Sequence, residues 1–206
     1  MYKMSLEVFV NPIITLIINI YRFSFRYGSW ACCFTYGCWF GVEGLVTAGE
    51  PIDSPALKLC CKFLLSHQRE NGGKLSYNIK HAFIRKKLIS LFIIKGWGED
   101  FTSCYDKNYA EKGMYSYGDD GSGVVNTAWA LLALSCAKTS DINAVKRGVA
   151  YLMARQLPSG DWPQQGISGV TNRSVGITYT SYRNVFPIWA LGRCIETYGD
   201  AISAQK

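Results

Sequence analysis

A chain of 206 residues with 49% apolar and 14% aromatic side chains can bury one sizeable core, which excludes a disordered or low-complexity protein. Its net charge of +7 is local: residues 74–95 hold five Lys, one Arg and no acid, residues 1–26 add +2, and the rest sums to −1. A basic excess confined to two such segments is a poor nucleic-acid footprint, so nucleic acid is not an expected partner.

Near the N-terminus, residues 8–21 are apolar but broken by Asn11, Pro12 and Asn19. A membrane-spanning helix needs about 20 apolar residues, so the segment is too short to span; a signal anchor is the competing reading. Apolar residues then recur at helical spacing over 34–48, 55–67, 124–138, 143–156 and 182–198. Gly-rich turns at 71–73, 118–123 and 158–160 separate these stretches, and alternating strand-type runs are scarce. The fold class is therefore all-α. The eight cysteines form no C-x-x-C pair and the histidines are only His67 and His81, so no zinc-ligand set is expected. Several cysteines sit in apolar helical stretches, where Cys acts as a small hydrophobe, and a reducing compartment suits that use.

An internal repeat runs through the helices. Residues 147–162 read RGVAYLMARQLPSGDW and residues 59–73 read LCCKFLLSHQRENGG. Each has an aromatic and a Leu, three further residues, a Gln and then a Gly-containing turn. Gln156 is followed by Trp162 six positions on, whereas Gln68 is followed by Trp97 after 29 positions. Removing the 23 residues 74–96 makes the first copy QRENGGWGED and restores the match. A half copy ends in Gly28-Ser29-Trp30. In such a unit the Gln amide is expected to satisfy orphan carbonyls at the end of its own helix, the turn Gly to adopt positive φ, and the Trp to bury its ring. Repeated helix pairs of this kind build a solenoid or a closed ring.

These units resemble the QW motif of the squalene and oxidosqualene cyclases: a basic residue, Gly or Ala, an aromatic, Leu, Gln, then Gly-x-Trp. Arg147, Gly148, Tyr151, Leu152, Gln156, Gly160 and Trp162 fit each position. GSWACCFTYGCWFGVEGL (28–45), GWGEDFTSC (96–104), VVNTAWALLAL (124–134), GDWPQQ (160–165) and TYTSYRNVFPIWALGR (178–193) are similar to the last quarter of oxidosqualene cyclases. The resemblance implies a partial C-terminal α/α barrel over 27–206, with residues 1–26 unmatched and 74–96 a non-family insert. It implies a reaction on 2,3-oxidosqualene giving a sterol or triterpene alcohol, lanosterol-type, without metal or organic cofactor. It also implies monotopic association with the endoplasmic reticulum membrane, with the lipid droplet as a second location. Trp30 and Tyr36 match cavity-wall aromatics, and Ile177, Tyr179 and Tyr182 match positions that line or support the cavity. Gln68, Trp97, Gln156 and Trp162 are expected as structural braces. Aromatic faces suit this chemistry because they offer negative quadrupole density to a carbocation without a nucleophilic atom. The alternative is a non-catalytic helical-repeat binding or structural protein derived from a cyclase.

Four departures stand out. The upstream Asp motif that protonates the epoxide has no match, and Asp119 and Asp120 lie in a Gly-rich loop that supplies neither burial nor a partner to raise a carboxyl pKa. No catalytic residue is therefore assigned, and the chain alone is expected to be inactive. Thr171 stands in GVTN where the family has a cation-facing Phe, and Val175 stands where Cys is common. The basic, Ile- and Phe-rich insert reads either as retained intron sequence, since the codons of Gly73-Lys74-Leu75 and Lys95-Gly96 allow splice signals, or as a membrane-contacting loop. Residues 1–26 share its composition.

Overall fold

The computed structural model describes residues 33–69, 94–103, 109, 121–171 and 175–203, with the backbone only of Thr171. Trp30, residues 1–26, most of the insert, and Asp119 and Asp120 lie outside the described residues. In chain order the elements are α1 (Cys33–Thr47), α2 (Pro55–Ser66), α3 (Val124–Cys136), α4 (Ile142–Arg155), β1 (Gly169–Thr171), β2 (Val175–Ile177) and α5 (Tyr182–Ser203).

Local signals set most of the helix boundaries. Ser54 caps α2 by accepting from the backbone N–H of Leu57, with Pro55 at the first helical position where its missing N–H costs nothing. Asp141 caps α4 by accepting from Ala144 N at 2.9 Å. No local side chain caps α3; the N–H of Val124 instead donates to Gln165 Oε1 at 2.7 Å. Helix α5 continues through Gly199 to Ser203, past the 198 expected from periodicity. One interior Gly costs about 1 kcal/mol relative to Ala, too little to end a helix of that length.

The helices form two layers. Helix α3 lies between α1 and α5; α2 packs behind α1 and α3, and α4 behind α3 and α5. Every residue of α3 is buried, as a central helix contacted on all sides requires. Trp97, Trp129, Trp162 and Tyr151 are the largest fully buried side chains. The alternation of front and back helices is the all-α, α/α architecture expected from the sequence.

The antiparallel pair β1–β2, with Thr171 opposite Val175 and Gly169 opposite Ile177, was not foreseen. Three residues per strand are too few to show a period-2 pattern. Among the described cysteines, Cys38, Cys60, Cys61, Cys136 and Cys194 are free. Burial pushes the thiols of Cys61, Cys136 and Cys194 up to about 11, which fits their use as hydrophobes. Cys33 departs from that use, because it is in a disulfide.

Candidate functional site

The two Gln–Trp units close in the same way. Trp97 Nε1 donates to the carbonyl of Leu64 at 2.7 Å, and Trp162 Nε1 donates to the carbonyl of Leu152 at 2.8 Å. Both carbonyls lie in the last turn of their helices, and that of Leu64 also accepts from the backbone N–H of the capping residue His67 at 3.1 Å. The indoles therefore do the capping that the sequence assigned to the glutamines. Gln68 reaches sideways instead. Its Nε2 donates to the carbonyl of Ala144 at 2.9 Å, and its Oε1 accepts from Arg147 at 3.0 and 2.7 Å. The basic residue of the second unit thus holds the Gln of the first. Gln156 braces its own turn by donating to the carbonyl of Gly160, whose φ of +95° suits glycine. Trp97 keeps its place despite the preceding insert. Gly96, at the edge of that insert, accepts from Arg69 N at 3.1 Å and has no room for a Cβ against Thr127 Oγ1.

These braces set α1, α3 and α5 side by side, and the rings on them meet. Tyr36 of α1 meets Trp129 of α3 edge-on at 5.1 Å between centroids. Trp129 meets Phe186 of α5 at 5.4 Å and Tyr182 at 6.1 Å. Tyr182 stacks on Tyr179 at 4.5 Å. Trp39 joins Tyr36 to Phe186, at 5.6 and 5.4 Å. Tyr36, Tyr179 and Tyr182, matched one by one from sequence, therefore belong to one aromatic cluster. The rings of Trp129, Phe186 and Trp39 that join them were not singled out; their spacing within helices read as core, and only the juxtaposition of three helices reveals them. Ile177 ends β2, half-buried, and pairs with Gly169 in the hairpin. Thr171 is placed only by its backbone, opposite Val175. The hairpin that carries both is tied to the cluster, because the Tyr179 ring occupies the space where a side chain at Gly169 would be.

Two phenols of the cluster are shifted by their surroundings. Burial, and secondarily the nearby Tyr179, raises the Tyr36 phenol above its ordinary range. Burial followed by Tyr179 and Tyr36 does the same to Tyr182. Phenols held protonated present ring faces rather than phenolate nucleophiles, which is the state a cation-lining surface needs.

Glu99 was also missed by the sequence reading. It is fully buried, and burial pushes its carboxyl up to about 7 against hydrogen bonds from Thr35, Phe34 and Ser103 that pull it down. Such a carboxyl is a general-acid candidate by pKa. Its geometry points to a different role. Oε1 accepts from Phe34 N at 2.8 Å, and Oε2 accepts from Thr35 N and Thr35 Oγ1, both at 2.9 Å. Both oxygens are occupied by the start of α1. Neighbouring Asp100 is turned inward to Thr102. Among the described residues no group of three or more His, Cys, Asp or Glu is arranged to hold a metal.

Comparison with known proteins places this arrangement. Residues 93–196 match the model of the squalene-hopene cyclase C-terminal domain. The chain is 42% identical over 177 residues to lanosterol synthase of Mus musculus and 42% identical over 175 residues to that of Homo sapiens. It is 43% identical over 171 residues to cycloartenol synthase of Dictyostelium discoideum. These matches cover 83–84% of this chain but 20% of each relative, so the chain spans about a fifth of their length. With half the chain matched by the domain model and more than four fifths by these relatives, the layered helices braced by Gln–Trp pairs belong to the squalene-hopene and oxidosqualene cyclase family.

Proposed function

We propose that this chain forms part of the cation-lining wall of a triterpene cyclase that converts 2,3-oxidosqualene to a sterol or triterpene alcohol of the lanosterol type. The observation that carries this reading is the convergence of Tyr36, Tyr179 and Tyr182 on Trp129 in one set of rings. In a dry cavity each ring face in contact with a cation contributes about 2 kcal/mol, and the groups need no reorganisation as charge migrates along the substrate. The chain's own work is to orient these faces and exclude water. The acid that opens the epoxide comes from a cyclase region with no counterpart in this sequence, and the 206 residues alone are inactive. The reaction uses no metal or organic cofactor. The working enzyme sits peripherally in one leaflet of the endoplasmic reticulum membrane.

A chimera tests the reading. Residues 27–206 replace the corresponding C-terminal region of the Mus musculus lanosterol synthase, with and without residues 74–96, and products from 2,3-oxidosqualene are identified by mass spectrometry. Cyclised product from the shorter chimera is expected. A folded chimera with a cooperative melt that returns only unreacted oxidosqualene overturns the proposal.

A further inference from the structure

We infer that Glu99 is a positioning residue for the aromatic wall: its carboxylate holds the first turn of α1 and thereby fixes where Tyr36 meets Trp129. The consequence for cyclisation rests on the function proposed above; the clasp itself does not.

A helix leaves its first four N–H groups without intrahelical partners, and a local Ser, Thr, Asp or Asn ordinarily takes one of them. At α1 the acceptor comes from 64 residues away. One carboxylate takes the N–H of Phe34, the N–H of Thr35 and the Thr35 hydroxyl, all at 2.8–2.9 Å. A negative charge at that end of a helix also meets the positive pole of the macrodipole. Thr35 and Glu99 are fully buried, so the two bonds to Thr35 are not shared with solvent.

Glu99 can position α1 because its own backbone is fixed to α2 and α3. Two residues earlier, Trp97 N donates to Thr127 Oγ1 at 3.0 Å and Trp97 Nε1 to the carbonyl of Leu64 at 2.7 Å. Gly123 N, just ahead of α3, donates to the Trp97 carbonyl at 2.8 Å. Gly98 passes so close to the Gly121 carbonyl that a Cβ has no space. The connections form a circuit: Thr127 of α3 to Trp97, Trp97 by two peptide steps to Glu99, Glu99 to Thr35, and Tyr36 back to Trp129, two residues beyond Thr127. Its polar side sets the distance that its aromatic side displays.

The carboxylate is specifically required. Glutamine has one acceptor oxygen, and its NH2 would face a backbone N–H; aspartate is one methylene short. Hydrogen exchange read by mass spectrometry on the whole chain, above neutral pH, is the first test. Glu99→Gln is expected to speed exchange of the amides at 34–36 by about tenfold or more, the range for losing a charged acceptor. Thr35→Val, which removes only the hydroxyl bond, is expected to speed the same amides by less. The amides of α4 stay unchanged in both. Unchanged exchange at 34–36, or an equal rise in α4, overturns the inference. In the active chimera Glu99→Gln is expected to shift the product ratio, with partial recovery by Glu99→Asp; an unshifted ratio alongside the local exchange change also overturns it. An inactive parent chimera sinks the cyclase reading instead, and the exchange data still decide the clasp.

Discussion

At the scale of single residues, two positions make separable predictions. Thr171 stands where the resemblance implies a cation-facing Phe, and on the proposed function a hydroxyl there could capture a cation. In the chimera, Thr171→Phe is expected to redistribute product toward the lanosterol-type alcohol; product analysis showing an unchanged profile counts against a role for this position. Glu99 makes a prediction about pH. Its native carboxyl titrates at about 7 and its unfolded one at about 4.5, so between those values the native state keeps a proton that the unfolded state releases. The native state is therefore favoured most below about 4.5, and that advantage is lost as pH rises to about 7. The groups facing Glu99 are Thr35, Ser103 and the neighbouring Cys38 thiol, itself raised by its hydrogen bond to Cys60 and by burial. Thermal melts are expected to show a midpoint that falls across this window, and Glu99→Gln is expected to remove most of that slope.

At the scale of elements, the Gln–Trp unit ties the end of one helix to the start of the next pair. Trp162 shows the full set: its indole caps α4, its backbone N–H donates to Asn184 Oδ1, and its carbonyl accepts from Arg183 of α5. Trp162→Phe keeps most of the buried area and removes the indole donor, so about 1–3 kcal/mol of stability should be lost by denaturant titration. Tight backbone approaches matter as much as the rings. At Gly98 an added Cβ would overlap the Gly121 carbonyl, a backbone atom that cannot swing away. Gly98→Ala is expected to cost several kcal/mol, or abolish folding, because the stretch holding Trp97 and Glu99 must then shift. A Cβ at Gly148 would meet Leu131 Cδ2 and Trp97 Cζ3 at 2.9 Å, a milder overlap with buried side chains, so Gly148→Ala should cost less than Gly98→Ala.

At the scale of the whole molecule, large apolar side chains stand exposed on α1 and α5 among the described residues. Phe40 of α1 is 63% exposed, and Ile188 and Trp189 of α5 are 62% and 41% exposed. Trp39 meets both Phe40 and Trp189, and Phe186 stacks on Trp189, so these rings join the two helices. Surfaces of this kind mark interfaces or aggregation hazards. The purified chain is expected to self-associate by light scattering and to be dispersed by mild detergent; a sharp, concentration-independent monomer melt would contradict this. No described helix is long and apolar enough to cross a membrane.

The five described helices and the spacing of the two Gln–Trp units were legible in the sequence. Each is encoded locally, by apolar periodicity, turn glycines or short motifs, and local signals survive without knowledge of the fold. The sequence also located Trp97 as the partner of Gln68 across the insert, because the second copy supplied the spacing. Tertiary structure alone decided the rest. It showed that indoles rather than glutamines donate to the last-turn carbonyls of Leu64 and Leu152, since a carbonyl takes whichever donor packing delivers. It brought Trp129, Phe186 and Trp39 between the tyrosines, because ring contacts depend on how three helices lie side by side. It also set Glu99 at the start of a helix 64 residues earlier in the chain. Nothing in the spacing of Glu99 encodes that contact; the fixed backbone around Trp97 and Gly98 creates it.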